Sequence, residues 1–304
     1  MMSQSVSVPL QTLTHPVFRQ RGIEVKVLRD DLYRLPPWSE EVRQHLAGNK
    51  WHKLRYNADQ ARREGHTTLL AFGGAYSNLI RAVATLGQAE GFRTIGVIRG
   101  EPHEPLNPVL QWACQCGMTL HYVDRTHYRQ KHEPAFRDAL AQQFGRFYLI
   151  PEGGSNALAV RGCRDILASV EEPYDWVCCP CGTGGTLAGL VVGMRPEAQA
   201  LGFSVLKGGD FLRDDVRQLL HAYARQFGPV SDRSWDVCTA YHFGGYARTT
   251  AELTSFVSHF TSVHRIPLEP IYTGKMFYGI VALAEKGFFP RGSALVAVHT
   301  GGVF

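Results

Sequence analysis

The sequence predicts an α/β fold built from mostly parallel sheets flanked by helices, and three observations indicate it. Short apolar runs alternate with amphipathic stretches along the 304 residues. Several apolar runs end in a glycine-rich turn that leads into a helical pattern, as in βαβ units. Hydrophobic residues make up 44% and charged residues 19% of the chain, which is ordinary for a globular protein. The length favours two domains.

The first predicted βαβ unit lies near the start of the chain. A strand over 67–72 runs into the glycine-rich turn 73–78, a helical pattern follows, and 93–99 forms the next strand. Further strands are predicted at 22–28, 146–150, 176–179 and 294–299. The segment Arg34–Trp38 contains two prolines and is predicted to be a loop.

Composition excludes several classes of function. The net charge of +5 is mild and its lysines and arginines are scattered, so no nucleic-acid partner is expected. The first ten residues lack a signal-peptide core, and no run approaches the roughly 18 apolar residues of a membrane helix. Seven cysteines without a disulfide pattern favour reduced thiols in a cytoplasmic protein. Only Cys178 and Cys181 have zinc-knuckle spacing, so no metal is expected.

The segment 48–54 carries a candidate reactive lysine. A helix is predicted to begin with Asn49 as its N-cap and to run to about Glu64, with Gly65 ending it. Lys50 then lies in the first turn, where the helix dipole favours the neutral amine. A neutral amine is the form that condenses with an aldehyde. The alternative interpretation is a solvated lysine at a helix end.

A glycine-rich turn after the strand at 176–179 is a candidate phosphate site. It consists of Gly182, Thr183, Gly184, Gly185 and Thr186, and a helix follows. Glycines let backbone N–H groups surround an anion, and a helix N-terminus adds its dipole. The turn matches neither the nucleotide-binding P-loop nor the dinucleotide fingerprint, which argues against a Rossmann-type oxidoreductase. A turn without function is the alternative.

Three shorter motifs are weak one by one. Ser77 and Asn78 begin a predicted helix, where exposed amides suit a substrate carboxylate, although Ser77 could simply cap the helix. Tyr-Thr-Gly-Lys stands at 272–275, and His-Thr-Gly-Gly at 299–302 ends the last strand.

Taken together, these motifs resemble one family. The order Gly-Asn-Lys, Gly-Gly-x-x-Ser-Asn, Gly-Gly-Ser-Asn, Gly-Thr-Gly-Gly-Thr, Tyr-Thr-Gly-Lys and His-Thr-Gly-Gly is similar to that of fold-type II pyridoxal 5′-phosphate (PLP) enzymes. Within them the chain resembles the 1-aminocyclopropane-1-carboxylate deaminase and D-cysteine desulfhydrase group, from about Pro9 to Phe304. The resemblance implies a two-domain fold like that of the tryptophan synthase β subunit, and a homodimer. A small domain, 54–152, would be inserted into a large domain made of 1–53 and 153–304.

The resemblance also implies roles for individual residues. Lys50 would bind PLP covalently and move the Cα proton, Asn78 would bind the 3′-oxygen, and Gly182 to Thr186 would bind the phosphate. Thr273 would face the pyridine nitrogen. The substrate side would consist of Ser77, Asn78, Tyr246, Tyr272 and Thr300, with Ser77 and Tyr272 taking part in catalysis. Lys53 would be a cation on the helix surface or beside the phosphate.

The implied reaction is β-elimination from a small D-amino acid, best guessed as D-cysteine giving pyruvate, ammonia and sulfide. The deaminase pattern has an acidic residue and a leucine where this chain has Thr273 and Thr300. Expelling a thiol needs only Cα deprotonation and a competent leaving group, whereas opening a cyclopropane ring demands more. Two alternatives are aminocyclopropanecarboxylate deamination to 2-oxobutyrate and a non-catalytic PLP-binding protein. Trp51, His52 and Leu79 depart from the family pattern.

Overall fold

The computed structural model describes residues 8–33 and 38–302, and it confirms the predicted α/β fold. Its strands, numbered in chain order, are β1 (Leu10–Thr12), β2 (Glu24–Leu28), β3 (Thr68–Gly74), β4 (Arg93–Arg99), β5 (Thr119–Val123), β6 (Tyr148–Ile150), β7 (Trp176–Cys181), β8 (Gln199–Ser204), β9 (Ser234–Cys238) and β10 (Ala294–Val298). Each of the six strands predicted from sequence coincides with one of these. The predicted loop at Arg34–Trp38 lies outside the described residues, apart from Trp38.

The strands form two sheets. One has six strands in the order β1-β2-β10-β7-β8-β9, and the other has four in the order β5-β4-β3-β6. Only the pairing of β1 with β2 is antiparallel among the described strands. Because parallel strands need long crossovers, helices cover the sheets and the strands are nearly continuous apolar runs, as in β3.

The helices, also in chain order, are α1 (Pro16–Arg21), α2 (Glu40–Leu46), α3 (Asn49–Arg63), α4 (Asn78–Glu90), α5 (Pro108–Gln115), α6 (Arg125–Tyr128), α7 (Pro134–Phe144), α8 (Ala157–Arg164), α9 (Gly185–Gly193), α10 (Leu212–Phe227), α11 (Ala251–His264) and α12 (Thr273–Glu285). Helices α8, α9 and α10 cover one face of the six-stranded sheet, and α1, α11 and α12 cover the other. Helices α2 to α5 cover one face of the four-stranded sheet. None of the helices in the described ranges is long and apolar enough to cross a bilayer.

Helix α3 lies between the two sheets and packs closely against α8. It packs on α8 so closely that a Cβ atom at Gly162 would lie 1.7 Å from the carbonyl oxygen of His52. His52 Nε2 also lies 2.9 Å from Asp30 Oδ1, and both side chains are buried. The predicted domain boundary at residue 54 falls inside this helix, and the division at 54 and 152 stays a prediction. All seven cysteines are in the described part of the chain and are free.

Candidate active site

A cavity of about 340 Å³ lies at the carboxyl ends of the parallel strands of both sheets. This edge is where open α/β sheets bind ligands, because strand-to-helix turns converge there. The cavity brings together eleven of the twelve residues that the sequence singled out, namely Lys50, Ser77, Asn78, Gly182, Thr183, Gly184, Gly185, Thr186, Tyr246, Tyr272 and Thr300. Thr273 is absent from its lining.

The start of α3 differs from the prediction in one residue. Gly48, with φ of 83°, is the N-cap, and the assignment of Asn49 as the cap is wrong. A Cβ atom at residue 48 would lie 2.4 Å from the carbonyl oxygen of Thr300, so this approach requires glycine. The Asn49 side chain instead donates to Thr186 Oγ1 at 2.9 Å. The helix ends at Arg63, one residue before the predicted end, and Gly65 follows with a positive φ.

The Lys50 amine is poised to be neutral near neutral pH. The residue is partly buried, lines the cavity, and its Nζ donates to Asn49 Oδ1 at 2.9 Å. Burial and, secondly, the positive charge of Lys53 lower the pKa of Lys50 to about 7. A substantial fraction is therefore the free amine, which can attack a carbonyl carbon or accept a proton.

Lys53 lies one turn further along α3 and is buried, so its predicted placement on the helix surface is wrong. Its Nζ donates to the Gly153 carbonyl oxygen at 2.9 Å and to Ser155 Oγ at 3.1 Å. A Cβ atom at Gly185 would lie 3.1 Å from this nitrogen. The ammonium group therefore stands directly beside the glycine-rich turn, which agrees with the alternative placement on the phosphate side.

The glycine-rich turn has the features of an anion cradle. Gly184, with φ of 75°, is the N-cap of α9, and no side chain caps that helix. A Cβ atom at Gly185 would lie 2.4 Å from Ser155 Oγ, so the close approach excludes larger residues. Thr183 Oγ1 lies 2.7 Å from Ser155 Oγ, while Thr186 Oγ1 accepts from Asn49 and keeps its own proton to donate. These groups fit a phosphate. Ser155 was not singled out from the sequence, although it stands in the Gly-Gly-Ser-Asn motif.

Ser77 caps α4, as its simpler interpretation proposed, and it also lines the cavity. Its Oγ accepts from the Ile80 backbone N–H at 3.4 Å, which leaves the hydroxyl proton free to donate. Asn78 is the first helical residue, and a Cβ atom at Gly302 would lie 2.8 Å from its Nδ2. The helix dipole and the first-turn amides favour an anion at this position, as a carboxylate would be.

Two tyrosines line the cavity beside these groups. The rings of Tyr246 and Tyr272 are 6.0 Å apart and nearly perpendicular. Burial raises the pKa of both phenols, so both hydroxyls carry their protons at neutral pH. In the 243–247 loop every residue except Tyr246 has a positive φ, and the buried Lys275 donates from Nζ to the Gly245 carbonyl oxygen at 2.7 Å. This strained loop fixes where Tyr246 stands.

Thr273 is fully buried at the start of α12. Its hydroxyl lies 3.2 Å from Glu269 Oε1, which also accepts from the Thr273 and Tyr272 backbone N–H groups. Burial raises the pKa of Glu269, and these N–H groups oppose the shift. The proposed contact of Thr273 with a pyridine nitrogen stays a prediction. Sequence reasoning missed Glu269, whose signal is an acid three residues before the Tyr-Thr-Gly-Lys motif.

A second group that the sequence did not indicate is formed by His45 and Arg81. His45 of α2 stacks on Trp112 with ring centroids 3.7 Å apart, and Arg81 Nη1 is 3.3 Å from His45 Nδ1. Burial lowers the pKa of His45 to about 4 and that of Arg81 to about 9. Both residues line the cavity.

Comparison with known proteins gives matches to one family, to curated relatives and to a solved structure. Residues 40–301 match the family described as pyridoxal-phosphate dependent enzyme. A Pyrococcus horikoshii protein, provisionally named a 1-aminocyclopropane-1-carboxylate deaminase, is 28% identical over 305 residues, covering 97% of this chain and 89% of that protein. A D-cysteine desulfhydrase of Yersinia pestis is 27% identical over 299 residues, covering 92% and 87%. The crystal structure of an ACC deaminase homologue matches with a TM-score of 0.82 and 27% identity, covering 97% and 89% of the two chains.

Proposed function

Because the chain belongs to the family of pyridoxal-phosphate dependent enzymes, we propose that it eliminates the β-substituent of a small D-amino acid, converting D-cysteine to pyruvate, ammonia and sulfide. At the coarser level it is a PLP-dependent lyase or deaminase of the fold-type II class. The observation that carries the proposal is that one cavity unites the Lys50 amine, the N-terminus of α4 with Ser77 and Asn78, and two protonated tyrosines.

The residues present fit the cofactor. The turn 182–186 and the buried Lys53 ammonium would hold its phosphate, and Lys50 would bind it covalently. Asn78 would contact its 3′-oxygen. Bound PLP supplies an electron-withdrawing ring that stabilises the negative charge left on a substrate Cα when its proton is removed.

The remaining steps fall to side chains in the cavity. Ser77 and the first-turn amides of α4 would bind the substrate carboxylate and fix which Cα bond is presented. The neutral amine of Lys50 would accept the Cα proton. Tyr272, whose raised pKa keeps it protonated, would donate to the departing sulfur, and Tyr246 would orient it.

The choice of D-cysteine over aminocyclopropanecarboxylate rests on Thr273 and Thr300. Neither supplies the acidic residue or the leucine of the deaminase pattern. The nearest acid, Glu269, accepts backbone N–H groups at the start of α12 with both carboxylate oxygens. A thiolate is a competent leaving group, so elimination needs less assistance than ring opening.

Two alternatives differ in what they require of the site. Aminocyclopropanecarboxylate deamination is supported by the name of the archaeal relative, and a non-catalytic PLP-binding role would keep Lys50 and the phosphate turn. Homodimeric assembly and a cytoplasmic location also remain proposals.

A substrate panel tests the function. The purified protein, loaded with PLP, is incubated with D-cysteine, L-cysteine, β-chloro-D-alanine and aminocyclopropanecarboxylate, and pyruvate, 2-oxobutyrate and sulfide are measured. We expect pyruvate from D-cysteine and β-chloro-D-alanine, and none from a Lys50→Ala variant. Release of 2-oxobutyrate without pyruvate would establish the deaminase instead. Stoichiometric PLP without any product would favour the non-catalytic role.

A further inference from the structure

We propose that Arg99 binds an anionic β-substituent, so that the substrates include, besides D-cysteine, alanines carrying a phosphate, sulfonate or similar group on Cβ. The inference rests on the proposed elimination reaction and names a substrate class for it. Arg99 is the last residue of β4 and was not among the residues that the sequence singled out.

The sheet register places Arg99 beside the proposed carboxylate site. Arg99 pairs in parallel with Gly74, the last residue of β3, and Ser77 follows three residues later. A Cβ atom built on Gly74 would lie 3.6 Å from Arg99 Nη2. The guanidinium group therefore lies against the turn that leads to Ser77, and it lines the same cavity as Tyr246. A substrate held by its carboxylate at the start of α4 would extend its side chain within this space.

The charge of Arg99 is not neutralised by a carboxylate within the described ranges. No acidic oxygen there lies within 4.0 Å of it. Its guanidinium lies 5.8 Å from the centre of the Tyr128 ring and interacts electrostatically with Tyr246. Glu152 lines the cavity too, but it accepts from Tyr128 Oη at 3.1 Å and pairs with Lys131 at 3.4 Å. The guanidinium can therefore bind a bidentate anion.

The other cations of the cavity already have separate positions. Lys50 is the proposed cofactor lysine, Lys53 donates to groups beside the phosphate turn, and Arg81 of α4 lies against His45. Two anionic groups, the cofactor phosphate and the substrate α-carboxylate, are matched by the phosphate turn and by the start of α4. Arg99 provides for a third, which neither D-cysteine nor aminocyclopropanecarboxylate possesses.

The chemistry is the same elimination with an anionic leaving group. For O-phosphoserine, the Cα proton leaves and the Cβ–O bond breaks with its electron pair on the phosphate. The resulting enamine takes up one water and gives pyruvate and ammonia, so the products are pyruvate, ammonia and phosphate. An anion bound by Arg99 is stabilised as its charge grows in the transition state.

The test compares two substrates in three holoenzymes. O-phosphoserine, as both enantiomers, carries the anion, and β-chloro-D-alanine is the neutral reference. The variants are Arg99→Gln and, as a matched control, Arg93→Gln, because Arg93 is exposed at the opposite end of β4 and outside the cavity. We expect Arg99→Gln to lower kcat/KM for O-phosphoserine about 10- to 100-fold, which is the range for one hydrogen bond to a charged group. β-Chloro-D-alanine should be unaffected, as should both substrates in the control.

Equal losses on both substrates, or no loss on either, would overturn the specificity role. Turnover of β-chloro-D-alanine by the wild type reports on the proposed function independently of Arg99. If no substrate is turned over, O-phosphoserine binding is measured from the change in the holoenzyme's visible absorption. Weaker binding in Arg99→Gln alone would then support the anion site, and equal binding in all three proteins would refute it.

Discussion

The hydroxyl of Thr186 is expected to serve two partners, and replacing it with the isosteric valine separates their contributions. The side chain is buried, and its oxygen accepts from Asn49 Nδ2 at 2.9 Å, which leaves its proton available to donate to the proposed phosphate. Losing a hydrogen bond to a charged group costs about 1.5–3 kcal/mol, so PLP should bind about 10- to 100-fold more weakly to Thr186→Val. The Asn49 amide also loses its acceptor, which should lower the free energy of unfolding by about 1–3 kcal/mol.

Both quantities are measurable on the apoprotein. Titration with PLP, followed by visible absorption, gives the affinity, and urea unfolding without PLP gives the stability. Thr186→Ser retains the hydroxyl and should stay close to wild type in both. If Thr186→Val is destabilised and yet binds PLP as tightly as wild type, Thr186 serves only to hold Asn49, and the phosphate assignment is refuted.

The remaining predictions concern the elements around the cavity. Borohydride reduction should place the pyridoxyl label on Lys50 alone in peptide maps, and a label on another lysine would contradict the assignment. The rate of PLP uptake should rise as the pH passes through about 7, because the amine loses its proton there, and a rate independent of pH would contradict this. Lys275→Met should raise KM and leave PLP affinity unchanged, because the 243–247 loop loses its anchor. Weaker PLP binding would show a wider role. Gly162→Ala should destabilise the protein by about 1–3 kcal/mol in urea unfolding, since the new methyl overlaps the His52 carbonyl.

The pattern of the sequence was sufficient for the fold class and for most of the candidate site. Parallel strands buried on both faces read as apolar runs, and glycine-rich turns mark their carboxyl ends. Because such turns converge at one edge of a sheet, motifs as distant as 48–50 and 299–302 could be expected to meet. In the structure the two motifs do meet, because Gly48 lies directly against the Thr300 carbonyl oxygen.

The sequence could not decide which way individual side chains face. Lys53 and Lys50 stand in the same motif, but only the packing of α3 on α8 and on the phosphate turn buries Lys53 and directs its ammonium to Ser155. Asn49 is a residue type that commonly caps helices. In the structure, however, Gly48 is the N-cap, where the Thr300 carbonyl approaches closely, and the Asn49 side chain donates to Thr186 instead.

Local sequence thus determined the strands, the helices and the glycine-rich turns, because hydrophobic periodicity and glycine content set backbone conformation over a few neighbouring residues. The tertiary structure alone decided the electrostatics of the cavity. Burial within the assembled cavity lowers the pKa of Lys50. The environments of Thr273, which is hydrogen-bonded to Glu269, and of Arg99, which has no carboxylate partner within the described ranges, likewise depend on how the chain is packed. Burial and Coulomb interactions are set by distances in space, and those distances exist only once both sheets are assembled.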